Sequence, residues 1–278
     1  MMTIKTLQDV AISDILKAFN EAFSDYIIKL ELTEESLITK IKAENIKVEA
    51  SVGAFDKGRL VGFILNGLDE LEGIKTVYNG GTGVIPEYRG NRIVEKMYGY
   101  ILPVLKAEGY SKHTLEVIEG NYKALRAYEK IGFKTIRTFS SFKGQVNAPG
   151  NSKIRISVAK NLDWETAESF WNVKPSWQNS SAAIKRTLDQ HEIIVAFKGD
   201  EPVGYAVRAG ARIKQFAVKK EERGNGIGRA LFKYINSKVT PEPISFINYD
   251  KTDESSILFF QKTGLNQFID LNEMNFFY

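Results

Sequence analysis

The chain has 278 residues, enough for one large domain or two small ones, and its hydrophobic content of 43% predicts a packed core. It has no cysteine and only two histidines, which excludes disulfides, cysteine-ligated metals and thiol nucleophiles, and we expect no metal site. The net charge of +4 comes from basic residues scattered among acidic ones, so we expect no nucleic-acid partner.

The sequence has no signal for membrane insertion. No run of about 18 apolar residues occurs, and the N-terminal stretch MMTIKTLQDV lacks the basic-then-apolar layout of a signal peptide. Together with the absence of cysteine, these features lead us to expect a cytoplasmic protein without a membrane partner, present as a monomer or a homodimer.

The first half of the chain alternates short strands and helices. A strand at 4–7 leads into helical segments, and a hairpin follows at 54–65, where a polar turn separates two apolar runs. The next strand ends near Val84. A helix then begins after Arg89-Gly90-Asn91, because apolar residues recur there at a spacing of four. A strand at 114–118, a second helix and a last strand complete the half.

The second half repeats this order of elements. Arg223-Gly224-Asn225 stands before an apolar-periodic run just as Arg89-Gly90-Asn91 does, and residues 253–265 align with residues 121–133. A hairpin at 196–207 echoes the first one. Several similar segments in the same order indicate an internal duplication. The stretch GQVNAPGNS is poor in apolar residues and predicts a linker, which gives domains at 1–145 and 153–278 joined by 146–152.

Three glycines at the start of a helix predict an anion site. A strand at 212–219 precedes Gly224, Gly226 and Gly228, and a helix follows them. The first turn of a helix has unpaired backbone amides that favour an anion, and glycines allow a phosphate to approach closely. Arg223 and Arg229 add positive charge. The spacing fits neither the P-loop of nucleoside triphosphatases nor the dinucleotide-binding fingerprint.

Two motifs then carry a family resemblance. The run Arg223-Gly224-Asn225-Gly226-Ile227-Gly228 resembles the acyl-CoA signature R/Q-x-x-G-x-G/A of the GNAT superfamily of N-acyltransferases. Residues Asn121, Ala124, Tyr128, Gly132 and Phe133 match that superfamily's second signature, N-x-x-A-x-x-x-Y-x-x-x-G-F. The resemblance extends over nearly the whole chain, as two GNAT-like domains in tandem.

The resemblance implies a fold and a reaction. The expected fold class is α/β (α+β), with a mixed, mostly antiparallel sheet flanked by helices in each half, and with two strands that splay to admit the pantetheine arm. Acetyl-CoA is the implied cosubstrate, with no metal. The implied reaction is direct acetyl transfer to a primary amine of a small-molecule acceptor. A protein N-acetyltransferase and a non-catalytic acyl-CoA-binding module stay open as alternatives.

The resemblance also implies roles for individual residues. Tyr128 is the expected general acid for the leaving thiolate, and no residue can be named as the base. The implied cofactor-binding residues are Ala217, Val218, Arg223, Gly224, Asn225, Gly226, Ile227, Gly228 and Arg229 in the second half, and Val84, Arg89, Gly90 and Asn121 in the first.

Each half keeps a different part of the two signatures. The first half has Arg92 and Val94 where the second has Gly226 and Gly228, whereas the second half has Phe260 where the first has Tyr128. Because the second half keeps all the glycines, we expect it to hold the acyl-CoA. The alternative hypothesis, that the first half is catalytic through Tyr128, stays open.

Overall fold

The computed structural model describes residues 2–146 and 154–278, which form two compact units. The first unit is built from the chain up to Ile136 together with Asn272–Tyr278, and the second from Arg137–Leu271. Apart from Val146, the predicted linker at 146–152 lies outside the described residues. Each unit has a mixed, mostly antiparallel sheet flanked by helices, which confirms the predicted fold class.

The first unit has a sheet in which antiparallel strands are followed by a parallel pair. Its elements are β1 (Thr3–Thr6), α1 (Ile12–Ala22), α2 (Glu34–Glu44), β2 (Val52–Asp56), β3 (Arg59–Leu71), β4 (Ile74–Val84), α3 (Ile93–Ala107), β5 (Lys112–Ile118), α4 (Tyr122–Ile131) and the end of β12 (Asn266–Phe277). The strand order is β1-β2-β3-β4-β5 and then β12. Strands β1 to β4 pair antiparallel, whereas β4 and β5 run parallel.

The second unit repeats that arrangement. Its elements are β6 (Lys134–Gly144), β7 (Arg155–Ala159), α5 (Trp164–Ser169), α6 (Ser181–Arg186), β8 (Glu192–Lys198), β9 (Glu201–Ala209), β10 (Arg212–Val218), α7 (Ile227–Val239), β11 (Ile244–Asp250), α8 (Glu254–Lys262) and the first part of β12. The order β7-β8-β9-β10-β11 is antiparallel up to β10, and β10 and β11 run parallel. Strand β6 then pairs antiparallel with β11.

Each sheet is completed by a strand from the other half of the sequence. In the second unit, β6 pairs with β11 from Ile244↔Gly144 to Asp250↔Phe139. In the first unit, Met274 is fully buried in the core. The sequence division at 1–145 and 153–278 therefore differs from the division into compact units. The local pattern of β6 and β12 shows that they are strands, but it does not show which strands they pair with.

The helices behind the two parallel pairs bury the apolar positions that the sequence indicated. On α3, Ile93, Met97, Ile101 and Leu105 are buried, and their spacing of four places them on one face. The matching residues of α7 are Ile227, Leu231, Ile235 and Val239, all buried. No helix among the described residues is both long enough and apolar enough to cross a membrane.

The strand exchange predicts where core mutations act. Phe142 of β6 is fully buried and its ring lies 5.5 Å from that of Phe260 in the second unit. We expect Phe142→Ala to cost about 3–5 kcal/mol and to raise amide hydrogen exchange in β11 and α8. Met274→Ala should cost about 2–5 kcal/mol and raise exchange in the first unit instead.

Hydrogen exchange followed by mass spectrometry checks both variants. If Phe142→Ala loosened α3 and β5 while α8 stayed protected, β6 would belong to the first unit and the exchange of strands would be wrong.

Candidate active site

A cavity of about 400 Å³ opens in the second unit beside the parallel strand pair. One wall comes from the loop after α5, which includes Trp171 and Asn172. The floor comes from the edges of β10 and β11. The far wall is the glycine loop at 223–229 together with the start of α8. The cavity is therefore lined by residues that the sequence analysis predicted to bind the cofactor.

The cavity forms because β10 and β11 separate. Their hydrogen-bonded pairing includes only Arg212↔Ser245 and Ile213↔Phe246. Each strand becomes irregular just beyond, between Ile213 and Gln215 on β10 and between Phe246 and Tyr249 on β11. The strands then diverge, as the resemblance implied, and leave a gap between their edges.

The three glycines at the end of the cavity have different reasons to be glycine. Gly224 and Gly226 both have φ of +81°, in the left-handed region that glycine adopts without strain. Gly226 is the N-cap of α7, and no side chain caps this helix. A Cβ on Gly228 would lie 2.9 Å from Cζ of Phe259 and 3.1 Å from Cζ of Phe216. Gly228 is thus required by packing against two rings, a reason that sequence reasoning missed.

Arg223 ties the glycine loop to the opposite wall. Its Nε donates to the carbonyl of Val218 at 2.9 Å, Nη2 to that of Phe170 at 2.9 Å and Nη1 to Oδ1 of Asn172 at 2.8 Å. The guanidinium group holds the loop after α5 and the glycine loop together. That Arg223 also binds the cofactor stays a prediction.

The remaining predicted residues of the second half lie at or near the same cavity. Ala217, Val218, Ile227 and Arg229 all line it, with Ile227 reaching into the core. Asn225 is exposed and donates to Glu222. Among the residues described, no group of three histidine, aspartate or glutamate side chains could hold a metal ion.

Two family models match the chain, one to each half. A model of the acetyltransferase (GNAT) family matches residues 12–133, and one of an acetyltransferase (GNAT) domain matches residues 163–273. The chain belongs to the GNAT family. No curated protein matches it in sequence.

Solved structures share the tandem GNAT fold at low sequence identity. The glucosamine N-acetyltransferase region of a fungal multi-domain β-N-acetylglucosaminidase has a TM-score of 0.78 at 16% identity; the match covers 99% of this chain and 38% of that one. A tandem GNAT protein of clavulanic acid biosynthesis has a TM-score of 0.73 at 12% identity, with 100% and 98% covered. A GCN5-related N-acetyltransferase from Sphaerobacter thermophilus has 0.71 at 12%, with 99% and 95% covered.

The first GNAT unit keeps the loop backbone without glycine at the positions that match Gly226 and Gly228. Gly90 has φ of +81° and Arg92, at the N-cap of α3, has φ of +54°, so both repeat the left-handed conformation. Arg89 forms the same clamp as Arg223, from Nε to the carbonyl of Val84 at 3.1 Å and from Nη2 to that of Ala22 at 2.9 Å. The backbone of the loop therefore does not depend on glycine at position 92.

Asn121 and Tyr128 both belong to the first GNAT unit. Asn121 caps α4 by accepting from the amide of Ala124 at 3.2 Å. Tyr128 is buried against Tyr98 and Phe133. Burial raises the pKa of Tyr128 to about 12, so the phenol keeps its proton at neutral pH. The glycine loop with the described cavity lies in the second unit, so Tyr128 and that loop are in different compact units.

The second GNAT unit has a hydrogen-bonded carboxylate at the position of Asn121. Asp253 caps α8 and accepts from the hydroxyls of Tyr249, Ser255 and Ser256 at 2.7, 2.7 and 2.6 Å. Burial raises the pKa of Asp253, but these donors and Asn172 outweigh it and lower that pKa to about 2. Burial and the bond to Asp253 raise the pKa of Tyr249, which makes it a poor proton donor. The three hydroxyl donors lie within four residues of Asp253, and an aspartate directly before a helix is typical of an N-cap, so this part of the cluster was readable from the sequence. Only the contribution of Asn172 depends on the fold.

The Asp253 cluster predicts a pH-dependent contribution to stability. The folded pKa of Asp253 is about 2, below the ordinary value of 3.8, so its contribution is present above pH 4 and is lost as the pH falls through 2. We expect Asp253→Asn to lower the free energy of unfolding by about 2 kcal/mol at pH 7. Asparagine caps the matching helix in the first unit, so the fold should tolerate it.

Urea denaturation at pH 7, 4, 3 and 2 measures this effect. The difference between wild type and variant should shrink between pH 4 and pH 2. A difference that stays constant over that range would show that the charge of Asp253 does not contribute.

Proposed function

We propose that the protein is an N-acetyltransferase that transfers an acetyl group from acetyl-CoA to a primary amine of a small molecule. The observation that carries the proposal is the cavity between β10 and β11, which ends at the uncapped start of α7. The first amides of a helix have no intrahelical partner and lie at the positive end of its dipole, so they suit a pyrophosphate.

The residues present fit acyl-CoA as a substrate. Gly224 and Gly226, in the left-handed conformation, leave these two positions of the loop without side chains, and Arg229 lines the same end of the cavity. The diverging edges of β10 and β11 leave strand amides and carbonyls beside the gap, which suit an extended amide-bearing arm. Acetyl-CoA would supply the activated acetyl group, and the chain would position it and the amine for direct attack.

A second candidate is a non-catalytic acyl-CoA-binding module. Phe260 stands where the first unit has Tyr128, and a phenyl ring cannot donate a proton. Tyr249 lines the cavity, but its hydroxyl donates a hydrogen bond to Asp253. Acyl-CoA binding without transfer would be consistent with both observations.

The glycine loop offers a test of where acetyl-CoA binds. We expect Gly226→Arg to weaken acetyl-CoA binding at least tenfold, because a side chain would cover the first amides of α7. Arg92 already has the left-handed conformation in the first unit, so the backbone should accept arginine at residue 226. Arg92→Gly is the matched control and should leave the affinity unchanged.

Isothermal titration calorimetry with acetyl-CoA measures both variants, and thermal unfolding checks that each is folded. Unchanged affinity in Gly226→Arg, with a loss in Arg92→Gly, would place the cofactor in the first unit.

Turnover separates the enzyme from the binding module. We expect release of free CoA from acetyl-CoA in the presence of at least one amine from a panel that includes 2-aminoethanol, glycinamide, putrescine and glucosamine. A thiol reagent follows the released CoA, and mass spectrometry follows the acetylated amine. Saturable acetyl-CoA binding with no turnover of any small amine would favour the binding module, unless a peptide amine is acetylated instead.

A further inference from the structure

Asn179 supplies an unusual atom to the cavity wall in the second unit. Asn179 is one of the residues that line the cavity, and it is 1% exposed. Nδ2 donates to the carbonyl of Ile247 at 2.8 Å, which fixes the orientation of the amide group. The oxygen on the other side, Oδ1, has no hydrogen-bond partner.

A buried carbonyl oxygen without a donor is costly and needs an explanation. Several other side-chain atoms in the described part of the chain share this condition, among them Oδ1 of Asn236 and of Asn275. Of these residues, Asn179 is the one that lines the cavity. A ligand in the cavity could therefore supply the missing donor to Asn179.

A chain of hydrogen bonds holds Asn179 in place. Nε1 of Trp171 donates to Oη of Tyr205 at 2.6 Å, and Tyr205 donates to Oε1 of Gln215 at 2.9 Å. Nε2 of Gln215 then donates to the backbone carbonyl of Asn179 at 2.8 Å. Tyr205, Gln215 and Asn179 are all at most 2% exposed, so this series of hydrogen bonds is shielded from water and well defined.

The first unit has no such chain at the matching positions. Gly62 and Gly204 occupy equivalent positions in the two units. A Cβ added to either would contact the first isoleucine of the following helix, a strand carbonyl oxygen and a valine side chain. The residue after each glycine is Phe63 in the first unit and Tyr205 in the second. The position that matches Gln215 is Gly81. The polar wall is thus specific to the unit that contains the glycine loop.

The wall lies away from the anion end of the cavity. Gln215 is three residues before Val218, the last residue of β10, and is thus about 10 Å along an extended strand from the strand end that precedes the glycine loop. If acyl-CoA phosphates lie at that loop, Asn179, which is hydrogen-bonded to Gln215, borders a different part of the cavity, which an acceptor could occupy. The inference therefore rests on the proposed function.

We propose that Oδ1 of Asn179 accepts a hydrogen bond from the acyl acceptor. The acceptor is then a primary amine that also carries a hydroxyl or an amide N–H. A donor separate from the reacting nitrogen keeps its bond throughout transfer, because the reacting nitrogen loses N–H bonds as it becomes an amide. A site built around a buried hydrogen-bonding group discriminates strongly against analogues that lack the partner.

Two matched pairs of amines test the proposal by calorimetry on the protein saturated with CoA. The first pair is 2-aminoethanol and 2-methoxyethylamine, which tests a hydroxyl donor. The second pair is glycinamide and glycine dimethylamide, which tests an amide donor. We expect the member with the donor to bind at least tenfold more tightly in one pair or both. Equal affinity within both pairs, or no binding by any of the four amines, would overturn the proposal.

Variants localise the preference. Asn179→Ala should abolish the difference within the pair, whereas Asn236→Ala, which removes another unpartnered oxygen outside the cavity, should keep it. Tyr205→Phe removes the hydroxyl that joins Trp171 to Gln215 and places the first unit's residue there. It should weaken amine binding and leave the affinity for acetyl-CoA unchanged. A preference that survives Asn179→Ala would assign the hydrogen bond to another residue.

The outcome is separable from that of the proposed function. Selective amine binding without CoA release from acetyl-CoA would rule out the acetyltransferase activity and support the role of Asn179. Equal turnover of both members of each pair would support the acetyltransferase activity and rule out the role of Asn179.

Discussion

The separation of β10 and β11 is the constraint on which the site depends. Two parallel strands that pair over only two residue pairs leave the later backbone groups on their facing edges without a strand partner, and a cavity opens beside them. Three features keep that cavity in shape. The clamp of Arg223 joins its two sides, the rings of Phe216 and Phe259 support Gly228, and the chain from Trp171 to Asn179 holds the remaining wall. Without the separation, none of these side chains would border a space for a ligand.

The two units show how one backbone supports different sites. Arg89 and Arg223 make equivalent contacts, and Gly90 and Gly224 have the same φ of +81°. The differences lie in the side chains that the backbone presents. The first unit has Arg92 at the position of Gly226, which has no side chain. It has Phe63 at the position of Tyr205, whose hydroxyl belongs to the hydrogen-bonded wall of the cavity. The duplicated fold is thus retained in both units, while the polar cavity wall and the bare loop occur together in the second.

Local patterns predicted the elements, and nonlocal contacts explain what was missed. The spacing of Ile227, Leu231 and Ile235 predicted α7 correctly, because helix periodicity is a local property. The exchange of β6 and β12 was not predicted, since a strand pattern does not name its partner. The predictions also attributed all three glycines to phosphate approach. For Gly228 the structure gives a second reason, because the ring of Phe259, 31 residues away in the chain, lies 2.9 Å from where a Cβ would be. The role of Asn179 depends on Ile247 and Gln215, partners that sequence spacing cannot reveal.

A crystal structure of the complex with CoA tests the central claim most directly, namely that the second unit holds the acyl-CoA. The account predicts one CoA per chain, with its pyrophosphate on the amides of residues 224–229 and its pantetheine arm between β10 and β11. A CoA bound instead at the loop of residues 89–94, with the cavity of the second unit left open, would contradict it.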